Sequence, residues 1–198
     1  MKRLLTAVLL SSAIALPALA ALKNGDSAPD FSAPASLAGK QFEFSLKDAL
    51  KKGPVVVYFY PSAYTGGCNI EAHTFAENKD KFVAAGATII GVSHDSIARL
   101  NDFSADPEYC AGKFPVASDP DGKIAKSYDL KVMEGKAGLK DTRGVDIDHA
   151  FTERTTFVIS PSGKIVATLS SANDKISPAD HVSKSLAVVT EMKGSKAM

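Results

Sequence analysis

The hydrophobic pattern in the first half of the chain predicts two buried strands joined by a helix. Residues 55–60 form a continuous apolar and β-favouring run, typical of a strand covered on both faces. The pattern over 69–85 predicts a helix that ends at Gly86 and buries one face, formed by Ala72, Phe75, Phe82 and Val83. Residues 87–92 are the next buried strand. A strand, a helix and a strand at this spacing indicate a βαβ unit with parallel strands.

The second half of the chain adds helices and a hairpin to this unit. Asp95-Ser96 is a helix cap, and the helix that it begins runs toward Asp106-Pro107. The later predicted elements are a turn at 119–122, a short helix at 124–128, a β-hairpin of strands 155–159 and 165–169 turning at 161–163, and a last helix opened by Ser177-Pro178-Ala179-Asp180 whose apolar face is Val182, Leu186 and Val189.

Three segments carry weaker patterns. Residues 21–36 contain Pro29 and Pro34 among Ala and Ser, and we interpret them as an extended leader over the domain surface. Phe42, Phe44 and Leu46 alternate with polar residues, which favours a half-buried strand. Residues 133–150 carry three glycines and little apolar periodicity, and this composition predicts a loop.

The order of these elements predicts an α/β fold. It matches a thioredoxin-like three-layer sandwich with a mixed central sheet and with extra elements before and inside it. Other α/β folds share such elements, so the pattern by itself leaves alternatives open.

The first twenty residues differ from the rest of the chain. Lys2 and Arg3 precede a mostly apolar run over 4–16, and Ala18-Leu19-Ala20 supplies small residues at a cleavage site. These are the three regions of a secretory signal peptide. A retained membrane anchor is the alternative, but the run is short for crossing a bilayer. We therefore expect cleavage after Ala20 and an exported, periplasmic protein whose single domain spans 21–198.

The charge balance excludes some classes of partner. The chain has 23 basic and 22 acidic residues. Residues 1–20 hold two of the basic and none of the acidic residues, so 21–198 carry 21 and 22, a net charge of −1. This balance gives no electrostatic footprint for nucleic acid or for an anionic membrane surface. Small neutral or weakly polar substrates fit better.

The chain has two cysteines, Cys68 and Cys110, too few for a disulfide scaffold. Cys68 follows a Gly pair where a buried strand ends and a helix begins, and the helix dipole would favour a thiolate there. The glycines, Gly66 and Gly67, would let a small substrate approach the backbone. Cysteine is also often a buried small hydrophobe. On these residues alone, the catalytic and the packing interpretations stand about equal.

Four segments in order resemble the peroxiredoxin family. Pro61-x-x-x-Thr65-x-x-Cys68 matches its signature, within FYPSAYTGGCNIEAHTF followed by AAGATIIGVSHDS. KFPVASDPDGKIAKSYDL and ERTTFVISPSGKI are similar to its later conserved runs, and the resemblance extends from about residue 25 to 190. The bacterioferritin-comigratory-protein (PrxQ-like) branch is the most similar. The resemblance implies a thiol-dependent peroxidase that reduces hydrogen peroxide and organic hydroperoxides.

The resemblance also implies roles for individual residues. Cys68 would be the peroxidatic cysteine, which attacks the O–O bond as a thiolate and becomes a sulfenic acid. Thr65 would hydrogen-bond the peroxide or the thiolate. Arg154 would stabilise the thiolate and the charge on the departing oxygen. Pro61 would shield the sulfur from water, and Glu71 would orient Arg154.

The sequence departs from the family pattern near Cys68. Tyr64 stands where an acidic or small residue is common, Gly66 replaces a frequent proline, and Asn69 replaces a frequent threonine. His73 occupies the place, five residues after Cys68, where many members of this branch carry a resolving cysteine. Cys110 is then the internal candidate to resolve the sulfenic acid, near the end of the second predicted helix. Otherwise an outside thiol resolves Cys68.

Other interpretations are an exported thioredoxin-fold disulfide oxidoreductase or metallochaperone, and a non-catalytic thioredoxin-like binding protein. The first two need a second cysteine close after Cys68, where Ile70-Glu71-Ala72 stand. The spacing of the cysteines with His73, His94, His149 and His181 matches no tight metal-ligand pattern. We expect no metal or other cofactor. The expected partners are a peroxide and a thiol reductant such as a thioredoxin-like protein, with the chain a monomer or homodimer.

Overall fold

The computed structural model describes residues 21–196, so the predicted signal peptide lies outside the described residues. A seven-stranded sheet runs in the order β2-β1-β5-β4-β3-β8-β9, and β6 and β7 form a separate pair. The elements in chain order are β1 (Ser32–Leu37), β2 (Lys40–Ser45), α1 (Leu46–Leu50), β3 (Val55–Phe59), α2 (Gly66–Ala84), β4 (Thr88–Ser93), α3 (Ile97–Ala105), β5 (Val116–Ser118), α4 (Lys123–Ser127), β6 (Val132–Met133), β7 (Phe151–Thr152), β8 (Thr155–Ile159), β9 (Ile165–Ser170), α5 (Ser171–Asp174) and α6 (Pro178–Lys196).

The centre of the sheet is built from the strongest hydrophobic runs of the sequence. Strand β3 pairs in parallel with β4 and antiparallel with β8, so the sheet is mixed. Every residue of β3 and of β8 is buried. The predicted βαβ unit and the predicted β8–β9 hairpin are therefore confirmed.

Alternating side chains of β3 point into two different hydrophobic clusters. Val56 and Tyr58 pack with residues of α2, α3 and α6 on one side of the sheet, and both cysteines belong to this cluster. Val55, Val57 and Phe59 pack with residues of α1 and α4 on the other side. Because side chains alternate along a strand, a sheet between two helical layers buries both of its faces.

The prediction of an extended leader over the surface at 21–36 is wrong for its last residues, which belong to β1. Strand β1 lies inside the sheet between β2 and β5, and Ala35 and Ser36 are fully buried. The segment is rich in small residues and contains Pro34, which weakens any strand pattern in the sequence. Pairing with β2 and β5 supplies the stability that local propensity lacks.

Two further predictions need correction. Leu46 begins α1 rather than continuing the strand that contains Phe44. Val83 is 53% exposed, whereas the hydrophobic pattern places it on the buried face of α2. Val83 is the second-last residue of α2, which ends at Ala84.

The predicted loop over 133–150 is irregular between β6 and β7. The β-bridge between Lys140 and Asp146 closes it locally. Helix α3 ends at Ala105, and Cys110 lies in the turn that follows, near the end of that helix as predicted. Within residues 21–196, we find no helix with the length and apolar character that a membrane crossing requires.

Candidate active site

Cys68 lies in the first turn of α2, just beyond the end of β3. Thr65 is the N-cap of the helix, and its extended backbone, with φ −115° and ψ 149°, starts the helical turn. The first backbone N–H groups of a helix lack intrahelical acceptors and carry the positive end of its dipole. The Cys68 side chain is buried, with a residue exposure of 1%. The start of α2 therefore presents the positive end of the helix dipole to a buried sulfur.

Arg154 reaches Cys68 because of the register between two strands. It immediately precedes β8, and Thr155 of β8 pairs with Phe59, the last residue of β3. The antiparallel pairing therefore brings Arg154 to the same end of the sheet as the start of α2. Its Nη2 donates a hydrogen bond to Cys68 Sγ at 3.2 Å. A guanidinium at this distance stabilises a negative sulfur.

Glu71 lies one turn after Cys68 on α2 and contacts the other arm of Arg154. Arg154 Nη1 donates to Glu71 Oε2, and the two side chains form an ion pair. Burial raises the pKa of Glu71 to about 7, although the charge of Arg154 opposes this shift. Burial lowers the pKa of Arg154, but Glu71 and Cys68 outweigh it and raise that pKa overall. Arg154 therefore stays charged, while Glu71 changes protonation near neutral pH.

His181 of α6 is a neighbour of this pair that sequence reasoning missed as a site residue. Its Nδ1 lies 4.0 Å from Glu71 Oε1 and 2.9 Å from Thr156 Oγ1. Its Nε2 lies 2.9 Å from Ser171 Oγ. Burial, with a further contribution from the charge of Arg154, lowers the pKa of His181 to about 4. The ring is therefore neutral at physiological pH and leaves the Glu71–Arg154 pair intact.

Thr65 and Pro61 lie in the short connection between β3 and α2, and both are half-buried. The Thr65 hydroxyl donates to the Ser62 carbonyl at 2.8 Å, and the Thr65 carbonyl accepts from the Asn69 N–H at 2.8 Å. The hydroxyl oxygen keeps lone pairs that can accept from a peroxide O–H. The Thr65 hydroxyl proton is thus used in the bond to the Ser62 carbonyl, and the hydroxyl oxygen remains available as an acceptor.

The two glycines before Cys68 differ in what surrounds them. A Cβ at Gly67 would lie 3.1 Å from Arg154 Nη2 and 3.3 Å from Pro178 Cγ. A Cβ at Gly66 would meet nothing within 4 Å. Gly67 therefore makes room for the guanidinium and for the start of α6. The space beside the start of α2 is open at Gly66, which is one of the two glycines where the sequence predicts that a substrate approaches.

Cys110 is a free thiol, as is Cys68, and both are buried. Burial, with a smaller contribution from Asp106, raises the pKa of Cys110 well above its ordinary value. Burial also raises the pKa values of Tyr58 and Tyr60, and both cysteines add to these shifts. The two sulfurs thus lie within electrostatic reach of the same two buried phenols.

The four histidines of the chain are dispersed. His73 Nδ1 lies 2.8 Å from the Glu108 carbonyl, and His94 Nε2 lies 2.6 Å from Thr152 Oγ1. His149 Nε2 pairs with Asp95 at 3.0 Å. In the part of the chain that the structure describes, no cluster of three or more His, Cys, Asp or Glu side chains could hold a metal ion.

Comparisons with known proteins show which family the chain belongs to. The sequence model of the AhpC/TSA family matches residues 24–168. Peroxiredoxin Bcp of Escherichia coli is 33% identical over 144 residues, 73% of this chain and 83% of that protein. The structure of peroxidoxin BcpB from Mycobacterium tuberculosis has a TM-score of 0.69 at 30% identity and covers 85% of this chain and 96% of its own.

A structure of the Xanthomonas campestris bacterioferritin comigratory protein is also similar, with a TM-score of 0.62 at 31% identity. It covers 81% of this chain and 91% of its own. These neighbours confirm the predicted thioredoxin-like α/β sandwich with a mixed sheet and the resemblance to the bacterioferritin-comigratory branch. Family, relatives and fold agree, and the chain belongs to the AhpC/TSA family and is a peroxiredoxin, an oxidoreductase that reduces peroxides.

Proposed function

We propose that Cys68 is the residue that reduces the peroxide. The thiolate attacks one peroxide oxygen, an S–O bond forms and the O–O bond breaks. The second oxygen leaves as an alkoxide or hydroxide and takes up a proton, which leaves Cys68 as a sulfenic acid. The hydrogen bond from Arg154 Nη2 to Cys68 Sγ at 3.2 Å is the observation that carries this proposal.

Arg154 and Thr65 have distinct parts in this step. Arg154 is ionised, and its fork of donors can follow the negative charge from the sulfur to the departing oxygen. Glu71 holds the other arm of the guanidinium and so fixes its plane. Thr65 accepts a hydrogen bond from the incoming peroxide. Pro61, four residues earlier, shields the Cys68 sulfur from water. The substrate enters on the open side of Gly66.

The substrate class that we propose is hydrogen peroxide together with organic hydroperoxides. The Xanthomonas campestris relative is described as having alkyl peroxide reduction activity. The net charge over 21–198 is near zero, so no long-range field attracts charged substrates in preference to neutral peroxides.

Cys110 resolves the sulfenic acid in our proposal. Its thiol attacks the Cys68 sulfur, a disulfide forms, and water leaves. A dithiol reductant of the thioredoxin type then reduces this disulfide. The two thiols of the enzyme are regenerated, and the reductant becomes a disulfide. Membership of both cysteines in one buried hydrophobic cluster supports this pairing. The signal-like pattern over 1–20 supports export to the periplasm, where such a reductant would have to be supplied.

Peroxide consumption with a thiol donor tests the first step. Cys68→Ser should abolish turnover because the nucleophile is lost. Cys110→Ser should still form one sulfenate per chain after stoichiometric peroxide, but no intramolecular disulfide, as read by intact mass and a non-reducing gel. Equal turnover by wild type and Cys68→Ser would sink the proposal, and wild-type chains that keep a sulfenate without forming an intramolecular disulfide would refute the pairing.

A further inference from the structure

Tyr64, in the connection just before Thr65, has a backbone conformation that aromatic residues rarely adopt. Its φ is +61°, in the left-handed region, and its side chain is buried with a residue exposure of 2%. Such a conformation costs on the order of 1–3 kcal/mol and persists only where surrounding contacts enforce it. Since Tyr64 lies four residues before Cys68, its conformation sets the path by which the chain enters α2.

Contacts from the loop between β6 and β7 enforce this conformation. Thr142 donates to the Tyr64 carbonyl from both its N–H and its hydroxyl, each at 2.9 Å. The Arg143 guanidinium stacks on the Tyr64 ring with its Cζ 3.2 Å from the ring centroid. Phe103 and Tyr109 pack against the same ring, with centroids at 5.0 Å and 5.6 Å.

Asp141 anchors this group of contacts. Its buried carboxylate accepts from Arg99 Nη2 at 2.8 Å, from Arg143 Nη2 at 2.9 Å and from the Val145 N–H at 3.0 Å. Burial works against ionisation, but the hydrogen bonds from Val145 and Arg143 lower the pKa of Asp141 overall. Arg99 also donates to the Ala63 carbonyl at 3.0 Å. Asp141 therefore ties the loop to α3 and to the residue before Tyr64.

We propose that residues 141–143, hereafter the 141–143 clamp, position Cys68 beside Arg154 by holding Tyr64 in its left-handed conformation. The proposal rests on the proposed function of Cys68. Because Tyr109 precedes Cys110 and packs on Tyr64, the clamp also holds the two cysteine segments together. A reductant must reach sulfurs that are at most 1% exposed, so these segments have to open in each cycle. Asp141, Thr142 and Arg143 are positioning residues, and they set how often the two cysteine segments open.

The test compares Arg143→Ala and Asp141→Asn with Lys140→Ala, all in a Cys110→Ser background so that Cys68 is the remaining thiol. Lys140 belongs to the same loop, but its ion pair with Asp146 is exposed. A bulky maleimide reports how often Cys68 becomes accessible in the reduced protein. We expect about tenfold faster alkylation for the two clamp variants, as for a lost charged hydrogen bond, and wild-type rates for Lys140→Ala. Arg143→Lys, which keeps the charge but not the planar stack, should be intermediate.

Two further readouts separate positioning from general stability. Local opening depends little on low concentrations of urea, whereas alkylation through global unfolding rises steeply with them. The single-turnover rate with peroxide should fall several-fold in the clamp variants, since Cys68 spends less time beside Arg154. Alkylation that matches the Lys140→Ala control, or that rises with urea as global unfolding does, would overturn the clamp. If no variant forms a sulfenate, the proposed function fails, while the alkylation rates still decide the clamp.

Discussion

Cys68 and Cys110 are both buried free thiols in one hydrophobic cluster, yet their surroundings differ in charge. Cys68 lies at the start of a 19-residue helix and accepts a hydrogen bond from Arg154. Cys110 lies in a turn, where burial and the negative charge of Asp106 raise its pKa. Burial therefore does not decide which cysteine reacts first. A cation and a helix N-terminus lie beside one sulfur, and an apolar site near a carboxylate surrounds the other.

Removal of Arg154 should have the largest effect on this difference. We expect Arg154→Ala to slow the reaction of Cys68 with peroxide by about 100-fold or more, as when a donor to a developing anion is lost. Arg154→Lys should recover little, because one ammonium group cannot contact Cys68 and Glu71 with the same geometry. Stopped-flow measurement of single turnovers checks both. Among the described residues, the side-chain hydrogen bonds of Arg154 go to Glu71 and Cys68 and not to Cys110, so the alkylation rate of Cys110 under urea should stay unchanged. A faster alkylation of Cys110 in the variant would point to unfolding instead.

Glu71→Gln should have a smaller, pH-dependent effect. The pKa of Glu71, raised to about 7, means that the carboxylate holds Arg154 above this pH and is protonated below it. The variant imitates the protonated form at every pH. We expect it to be about tenfold slower than wild type at pH 8.5, as for a lost charged hydrogen bond, and to approach wild type at pH 5.5. A constant ratio of the two rates across this range would contradict the assigned titration.

His181→Gln should change reactivity least and the pH dependence of stability most. The pKa of His181 is lowered in the folded protein to about 4, so the unfolded chain binds the proton more tightly. Its contribution to stability is therefore present above about pH 6.5 and lost as pH falls through 4. We expect the drop in the free energy of unfolding from pH 7 to pH 4 to be smaller in the variant by about 2–3 kcal/mol. Chemical denaturation at both pH values measures it, and equal drops would show that His181 is not held neutral.

The parts of the fold that the sequence predicts well are those with strong local patterns. Strand β3 is a continuous apolar run, β4 and β8 are rich in β-favouring residues, and Ser96 caps α3 as expected, with its hydroxyl accepting from the Arg99 N–H. Strand β1 escapes prediction because its residues are small and because one of its two partners, β5, lies far along the chain. Long-range pairing of this kind leaves no periodic signal in the sequence.

The same distinction applies to the site. Cys68, Thr65, Glu71 and Arg154 could be named from their match to a family signature, although the strand register that joins Arg154 to Cys68 is visible only in three dimensions. His181 and the 141–143 clamp could not be named. They act through contacts across 40 to 110 residues of chain, and the clamp lies in a segment without hydrophobic periodicity.

Trapping of the sulfenic acid is the most direct test of the difference between the two cysteines. The reduced protein would receive one equivalent of peroxide with a dimedone-type reagent present, and peptide mass spectrometry would locate the adduct. We predict that every adduct lies at Cys68 and none at Cys110, because Arg154 and the start of α2 act on the Cys68 sulfur. An adduct at Cys110, or equal labelling of both cysteines, would contradict the assignment.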